Sequence, residues 1–154
     1  MLQVILYQPE IPPNTGNIIR LCANAGVRLH LVGPLGFVLD DARVRRAGLD
    51  YDELVDVRQY VNWEAFYAQN AACRLWAFST HGRKNYSRAA IRDGDGLLFG
   101  PETRGLPKDL LDNIGSDHTL RIPMQKTSRS LNLSNTVAIG LYEALRQLDF
   151  TGLN

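Results

Sequence analysis

The sequence predicts an α/β domain: a mainly parallel sheet flanked by helices. Three observations carry this. Five short, nearly continuous apolar runs recur along the chain, as strands buried on both faces require. Helical patterns with caps and stops lie between them, and strand–helix alternation favours parallel pairing. The 154 residues, 45% of them hydrophobic and 21% charged, suit one domain with a real core.

The elements follow in order. "LQVILY" (Leu2–Tyr7) reads as the first strand. Asn14 or Thr15 caps a helix that runs through Ala25 and stops at Gly26. "LHLVG" (Leu29–Gly33) is the second strand, and a short helix follows from Asp40 to Gly48. "NWEAFYAQN" (Asn62–Asn70) is helical, "RLWAFST" (Arg74–Thr80) a strand, and "GLLFG" (Gly96–Gly100) another. "PKDLLDNIG" (Pro107–Gly115) is a helix with proline at its first position. "LRIPM" (Leu120–Met124) is the last strand, and a final helix runs from about Ser134 to Leu148, with Ser134 or Asn135 as its cap.

Composition excludes several classes. Seventeen basic against sixteen acidic residues leave a net charge of +1, so any contact with nucleic acid must come from local patches. No apolar run reaches the roughly 18 residues of a membrane span, and the opening "MLQVILYQPEIPP" has no basic leader or cleavage site. Cys22 and Cys73 form no CxxC pair and read as reduced thiols of a cytoplasmic protein. His30, His81 and His118 lack metal-ligand spacing, so no metal is expected. GxGxxG, GxxxxGK[ST] and GxSxG are missing.

Three loops after predicted strands carry polar groups: "PEIPPNTGNIIR", "GPETRGLP" and "PMQKTSRSLNLSN". In a parallel sheet they converge at one rim, where ligands usually sit. Their glycines let a ligand approach the backbone, whose amides can read acceptors on a small polar molecule. The alternative is three unrelated connectors with good turn chemistry.

"NTGNIIR", "FGPETRGLP" and "IPMQKTSRSLNLSN" resemble the three motifs of the SPOUT superfamily, in its ribose 2′-O-methyltransferase branch. The opening "YQPEIPPNTGNIIRLCAN" and "RRAGLDY" resemble the short bacterial tRNA (cytidine/uridine-2′-O)-methyltransferases that modify the wobble nucleotide, position 34. The resemblance covers essentially the whole chain. It implies S-adenosylmethionine as methyl donor, S-adenosylhomocysteine as product, a C-terminal trefoil knot, and a dimer with composite sites. Carried over by motif, Phe78, Thr80, Gly100, Pro101, Gly105, Ile122, Met124, Ser130 and Leu131 hold the donor. Arg20, Asn14, Glu102 and Asn132 form the catalytic set. A guanidinium rarely gives up its proton. Arg20 is therefore read as phosphate clamp and hydroxyl orienter, with proton removal left to a strongly perturbed site. Glu102 is either a carboxylate at a helix start or the group that holds Arg20 or a neighbouring loop. Ser130, Asn132 and Asn135 are read as locking the last loop, with Asn135 also a possible helix cap.

The partner expected from the resemblance is a tRNA anticodon arm, met by a single domain over residues 1–154 with no separate RNA-binding domain of the kind that larger relatives carry. Basic clusters available to it are Arg43, Arg45 and Arg46; Arg83, Lys84 and Arg88; and Lys126 with Arg129. Arg46 and Arg129 are the chosen RNA contacts, and Tyr51 and Tyr86 are candidates to stack on bases. The last helix is apolar at Val137, Ala138, Ile139, Leu141, Tyr142, Ala144, Leu145 and Leu148, with Thr136, Gly140, Glu143 and Gln147 opposite. So wide an apolar surface needs a core and a second subunit. The alternatives are the same chemistry on another RNA such as rRNA, or a dimeric module that binds RNA or a nucleoside without catalysis.

Overall fold

The computed structural model describes residues 1–39 and 56–154. The expected short helix from Asp40, "RRAGLDY", Arg43, Arg45, Arg46 and Tyr51 lie outside the described residues.

Seven strands form one sheet: β1 (Gln3–Tyr7), β2 (Arg28–Val32), β3 (Val57–Tyr60), β4 (Leu75–Phe78), β5 (Lys84–Asn85), β6 (Gly96–Phe99) and β7 (Thr119–Arg121). Their spatial order is β3-β2-β1-β6-β4-β7-β5, and every pair is parallel. Four described α-helices cover it: α1 (Pro12–Ala25), α2 (Trp63–Asn70), α3 (Lys108–Ile114) and α4 (Leu133–Gln147).

Side chains alternate across a strand, and that period divides the core in two. Val4, Leu6, Leu29, Leu31, Leu97 and Phe99 pack with Ile18 and Ile19 of α1 and Val137 and Leu141 of α4. Ile5, Val32, Ala77 and Leu98 pack on the other side with Phe66 of α2 and Leu110 of α3. The central strands carry apolar residues at successive positions because both faces are covered.

Most buried polar groups are paired, but Thr15 Oγ1 inside α1 has no hydrogen-bond partner among the described residues. His30 on β2 sits between Tyr60 Oη, 2.9 Å from Nδ1, and Gln3 Oε1, 2.7 Å from Nε2. Burial, with Arg28 and Arg58 nearby, pushes its pKa down to about 4. Asp95 accepts from Arg74 Nε at 2.9 Å, the Trp76 indole at 2.9 Å and the Arg92 amide at 2.8 Å.

Several boundaries differ from expectation. α1 starts at Pro12, with Ile11 at its N-cap and proline at the first helical positions. Asn14 and Thr15 are therefore not caps; both are buried inside the helix. α4 is capped by Asn132, whose Oδ1 accepts from Ser134 N at 2.9 Å and Asn135 N at 3.3 Å, so neither Ser134 nor Asn135 is the cap. The last strand ends at Arg121, leaving Ile122 and Met124 in the loop. Gly140 is not on the outer side of α4. It is buried, and a Cβ there would lie 2.8 Å from Phe78 Cζ. Strands β3 and β5 were not expected.

One crossing positions the site. β7 lies between β4 and β5, both of which precede it in the chain. The link from β4 to β5 must therefore pass over β7. Its contact is close: Ser79 N donates to Leu120 O at 3.0 Å, and a Cβ on Gly82 would lie 2.7 Å from the Leu120 carbonyl.

Candidate active site

The carboxyl ends of β4, β6 and β7 open into a cavity of about 590 Å³. All nine residues expected to hold a donor line it: Phe78 and Thr80 after β4, Gly100, Pro101 and Gly105 after β6, and Ile122, Met124, Ser130 and Leu131 after β7. Parallel pairing brings these loops to one rim although the sequence separates them by up to 53 positions (78 to 131).

Two glycines shape the β6 loop. A Cβ at Gly100 would lie 2.4 Å from Leu106 N and 2.5 Å from the Gly105 carbonyl carbon, so this turn closes on itself only without a side chain. Gly105 has φ +68, a left-handed conformation that side chains disfavour. Phe78 forms the apolar floor, stacked on Phe99 at 4.6 Å between centroids.

A hydrogen-bonded chain joins the three loops. Glu102 accepts from the amides of Glu10 at 2.7 Å and Ile11 at 3.0 Å, and from Asn14 Nδ2 at 3.4 Å. Asn132 Nδ2 donates to Asn14 Oδ1 at 3.0 Å. Asn14, buried in the first turns of α1, thus bridges the β6 loop to the cap of α4. Of the two readings of Glu102, the carboxylate grips the neighbouring loop, and α3 begins six residues later at Lys108.

Sequence reasoning missed the return half of this grip. Glu10 accepts from Thr103 N at 3.0 Å and Thr103 Oγ1 at 2.8 Å. These two bonds, with Arg104 nearby, hold its carboxyl below the usual range. Arg104 also donates to Gln8 Oε1 at 3.2 Å. Glu10 stood inside the first polar loop, but nothing local pairs it with a residue 93 positions away.

Arg20 is exposed on α1 and is not among the cavity-lining residues. Arg129 lines the cavity together with His81 and Arg104. Among the described residues, no three His, Cys, Asp or Glu side chains gather as metal ligands, and no helix is long and apolar enough to cross a membrane.

Residues 1–142 match the model of the SpoU rRNA Methylase family. The chain belongs to that family. A tRNA (cytidine(34)-2′-O)-methyltransferase of Saccharophagus degradans is 59% identical over 152 residues, covering 99% of each chain. A solved structure described in terms of the 2-OH methylation of C/U34 on tRNA aligns with a TM-score of 0.89 at 47% identity over 97% of each chain. An AdoMet-bound rRNA methyltransferase of Sinorhizobium meliloti aligns at 0.81 and 30% identity, over 96% of this chain and 56% of the other. The SpoU fold thus accounts for the parallel sheet and for a cavity at its strand ends.

Proposed function

We propose that this SpoU chain is a cytoplasmic tRNA 2′-O-methyltransferase acting on the ribose of the wobble nucleotide, cytidine or modified uridine 34. The observation that carries this is the hydrogen-bonded chain Glu102–Asn14–Asn132, which ties the β1 loop to the β6 and β7 loops, both of which line one cavity. The near-full-length likeness to tRNA enzymes supports tRNA over rRNA as substrate.

The cavity suits S-adenosylmethionine. Its walls are apolar at Phe78, Ile122 and Leu131, and the glycine turn at Gly100 leaves main chain bare to bind an uncharged adenine and ribose. When bound, that donor supplies a methyl group already activated by its sulfonium. The protein's task is then alignment, which contributes much of the acceleration in reactions of this kind. Arg20 orients the 2′-hydroxyl and clamps a neighbouring phosphate. Asn14 and Glu102 hold the helix that carries Arg20.

Because Arg20 does not line its own chain's cavity, the reading includes a homodimer in which each donor site meets the partner's α1. Exposed Ile139, Tyr142 and Phe150 on and after α4 support α4 as the contact. The crossing of the β4–β5 link over β7 supports the trefoil knot.

The test is methyl transfer from labelled S-adenosylmethionine to total RNA, with tRNA and rRNA resolved and ribose methylation mapped by position. Label at the 2′-oxygen of nucleotide 34 is expected. Arg20→Ala should abolish transfer and leave donor affinity nearly intact, whereas Arg20→Lys keeps a charge but loses the planar fork. Label on a base, or on rRNA alone, would overturn the assignment.

A further inference from the structure

The chain is nearly neutral, yet its charges are segregated. Residues 65–92 and 118–142 contain no Asp or Glu. They hold five and three basic residues respectively, eight of the chain's seventeen. The fold sets these two stretches side by side, because β5 pairs with β7: Lys84 stands opposite Leu120, and Asn85 opposite Arg121.

Some of these cations are committed to the fold. Arg74 is ion-paired with Asp95. Lys84 Nζ donates to the Asp117 carbonyl at 3.1 Å and lies over the Trp76 ring, and Arg121 donates to the Thr80 carbonyl. Arg83, Arg88, Lys126 and Arg129 differ. Each is exposed, and among the described residues none makes an ion pair. Elsewhere, Lys108 and Arg146 have carboxylates beside them, whereas exposed Arg58, Arg92 and Arg104 make no ion pair among the described residues, so it is position that sets these four apart.

The position of the unpaired group carries the inference. Arg83 follows directly on Thr80, His81 and Gly82, the first two of which line the cavity, and Arg129 lines its other lip. Arg88 lies beyond β5 at the sheet's outer edge. The row therefore starts at the cavity mouth and leads away from it along an open edge.

We propose that the β5 edge is a phosphate track that holds the RNA backbone beyond the methylated nucleotide, with Arg83 and Arg88 as its main contacts. This rests on the RNA-methyltransferase reading above and adds where the RNA runs. Unpaired guanidiniums suit phosphate oxygens, which they meet with two parallel hydrogen bonds. Such contacts position the RNA without reading its sequence.

The experiment uses the full-length protein and a tRNA transcript, with binding measured from low to moderate salt. Each phosphate contact contributes a slope of roughly −0.7 to −0.9 in log affinity against log salt. Arg83→Ala/Arg88→Ala should flatten the slope by about 1.5 and raise the KM for tRNA. Donor affinity and kcat at saturating tRNA should be unchanged. Arg83→Lys/Arg88→Lys should restore most of the slope. An unchanged slope would overturn the proposal. So would a loss of affinity independent of salt, or a change in sedimentation showing that the edge is a protein contact. Because the readout is binding, it separates from the assignment of activity: wild type that binds tRNA along this edge but methylates nothing would refute only the latter.

Discussion

Replacing Glu102 tests the joint between the three loops. Its carboxylate accepts two backbone amides, from Glu10 and Ile11, and the buried Asn14 side chain. Hydrogen bonds to a charged group are each worth about 1.5–3 kcal/mol when well made. The Ile11 residue is exposed, so water recovers most of that amide in Glu102→Ala. The Glu10 amide is partly buried and recovers less. Asn14 Nδ2 is left buried with its acceptor gone, a further cost of about 1 kcal/mol or more. The sum is about 3 kcal/mol, a large part of the 5–15 kcal/mol typical of a domain. Glu102→Gln keeps one acceptor oxygen and should lose about half as much. Urea unfolding measures the loss, as a lower midpoint at constant slope. Donor calorimetry on the same variants should show weaker binding, because Glu102 and Thr103 line the cavity. If Glu102→Ala unfolds within ~0.5 kcal/mol of wild type and binds donor equally well, the carboxylate does not hold the loops together.

Two other outcomes follow from buried and exposed groups. His30 has its pKa pushed down to about 4, from 6.5, so it stays neutral in the fold while the unfolded chain takes up a proton below pH 6.5. Its contribution is full above pH 6.5 and is lost as pH falls towards 4, about 3 kcal/mol in all; urea midpoints at pH 7, 5.5 and 4 should show this, and a flat profile there would contradict it. Tyr142 is 44% exposed whereas its neighbour Leu141 is fully buried, so Tyr142→Asp perturbs the proposed subunit contact without opening the core. The variant should sediment as a folded monomer and fail to methylate tRNA, and a folded monomer with the wild-type rate would rule out a composite site.

The strands that the sequence made legible are those buried on both faces. Their apolar runs differ from everything around them. β3, with sequence VRQY, and β5, with only Lys84 and Asn85, are edge strands paired on one side, and half of what they show is solvent. Nothing in their composition separates them from loops. The start of α1 was misplaced because Asn14 and Thr15 are good caps by residue type. The stronger signal was Pro12-Pro13, which fits the first helical positions where no amide bond is needed. Strand order was not readable either, since β7 joins two strands 34 or more residues before it (85 to 119). For the candidate site, motif resemblance picked out the nine residues expected to hold the donor, Glu102 and Arg129, all of which share one cavity, while Asn14, Arg20 and Asn132 do not line it. It did not reveal how Glu10 and Glu102 each grip the other's loop, because that geometry exists only once β1 and β6 lie side by side.

The placement of β7 also sets a timetable for synthesis. β1 and β2 pair as neighbours in the chain, so the amino-terminal half can begin to assemble as it leaves the ribosome. β4 must wait for β6, and β5 has no partner in the sheet until β7 has been made. Pairings over such separations form slowly, because the intervening chain must first be closed into a loop. The cavity is walled by the loops after β4, β6 and β7 and by the first turn of α4. It is therefore among the last parts of the molecule to exist, and a nascent chain halted before residue 119 carries most of the core's residues but lacks α4 to cover one face and has no place for a ligand.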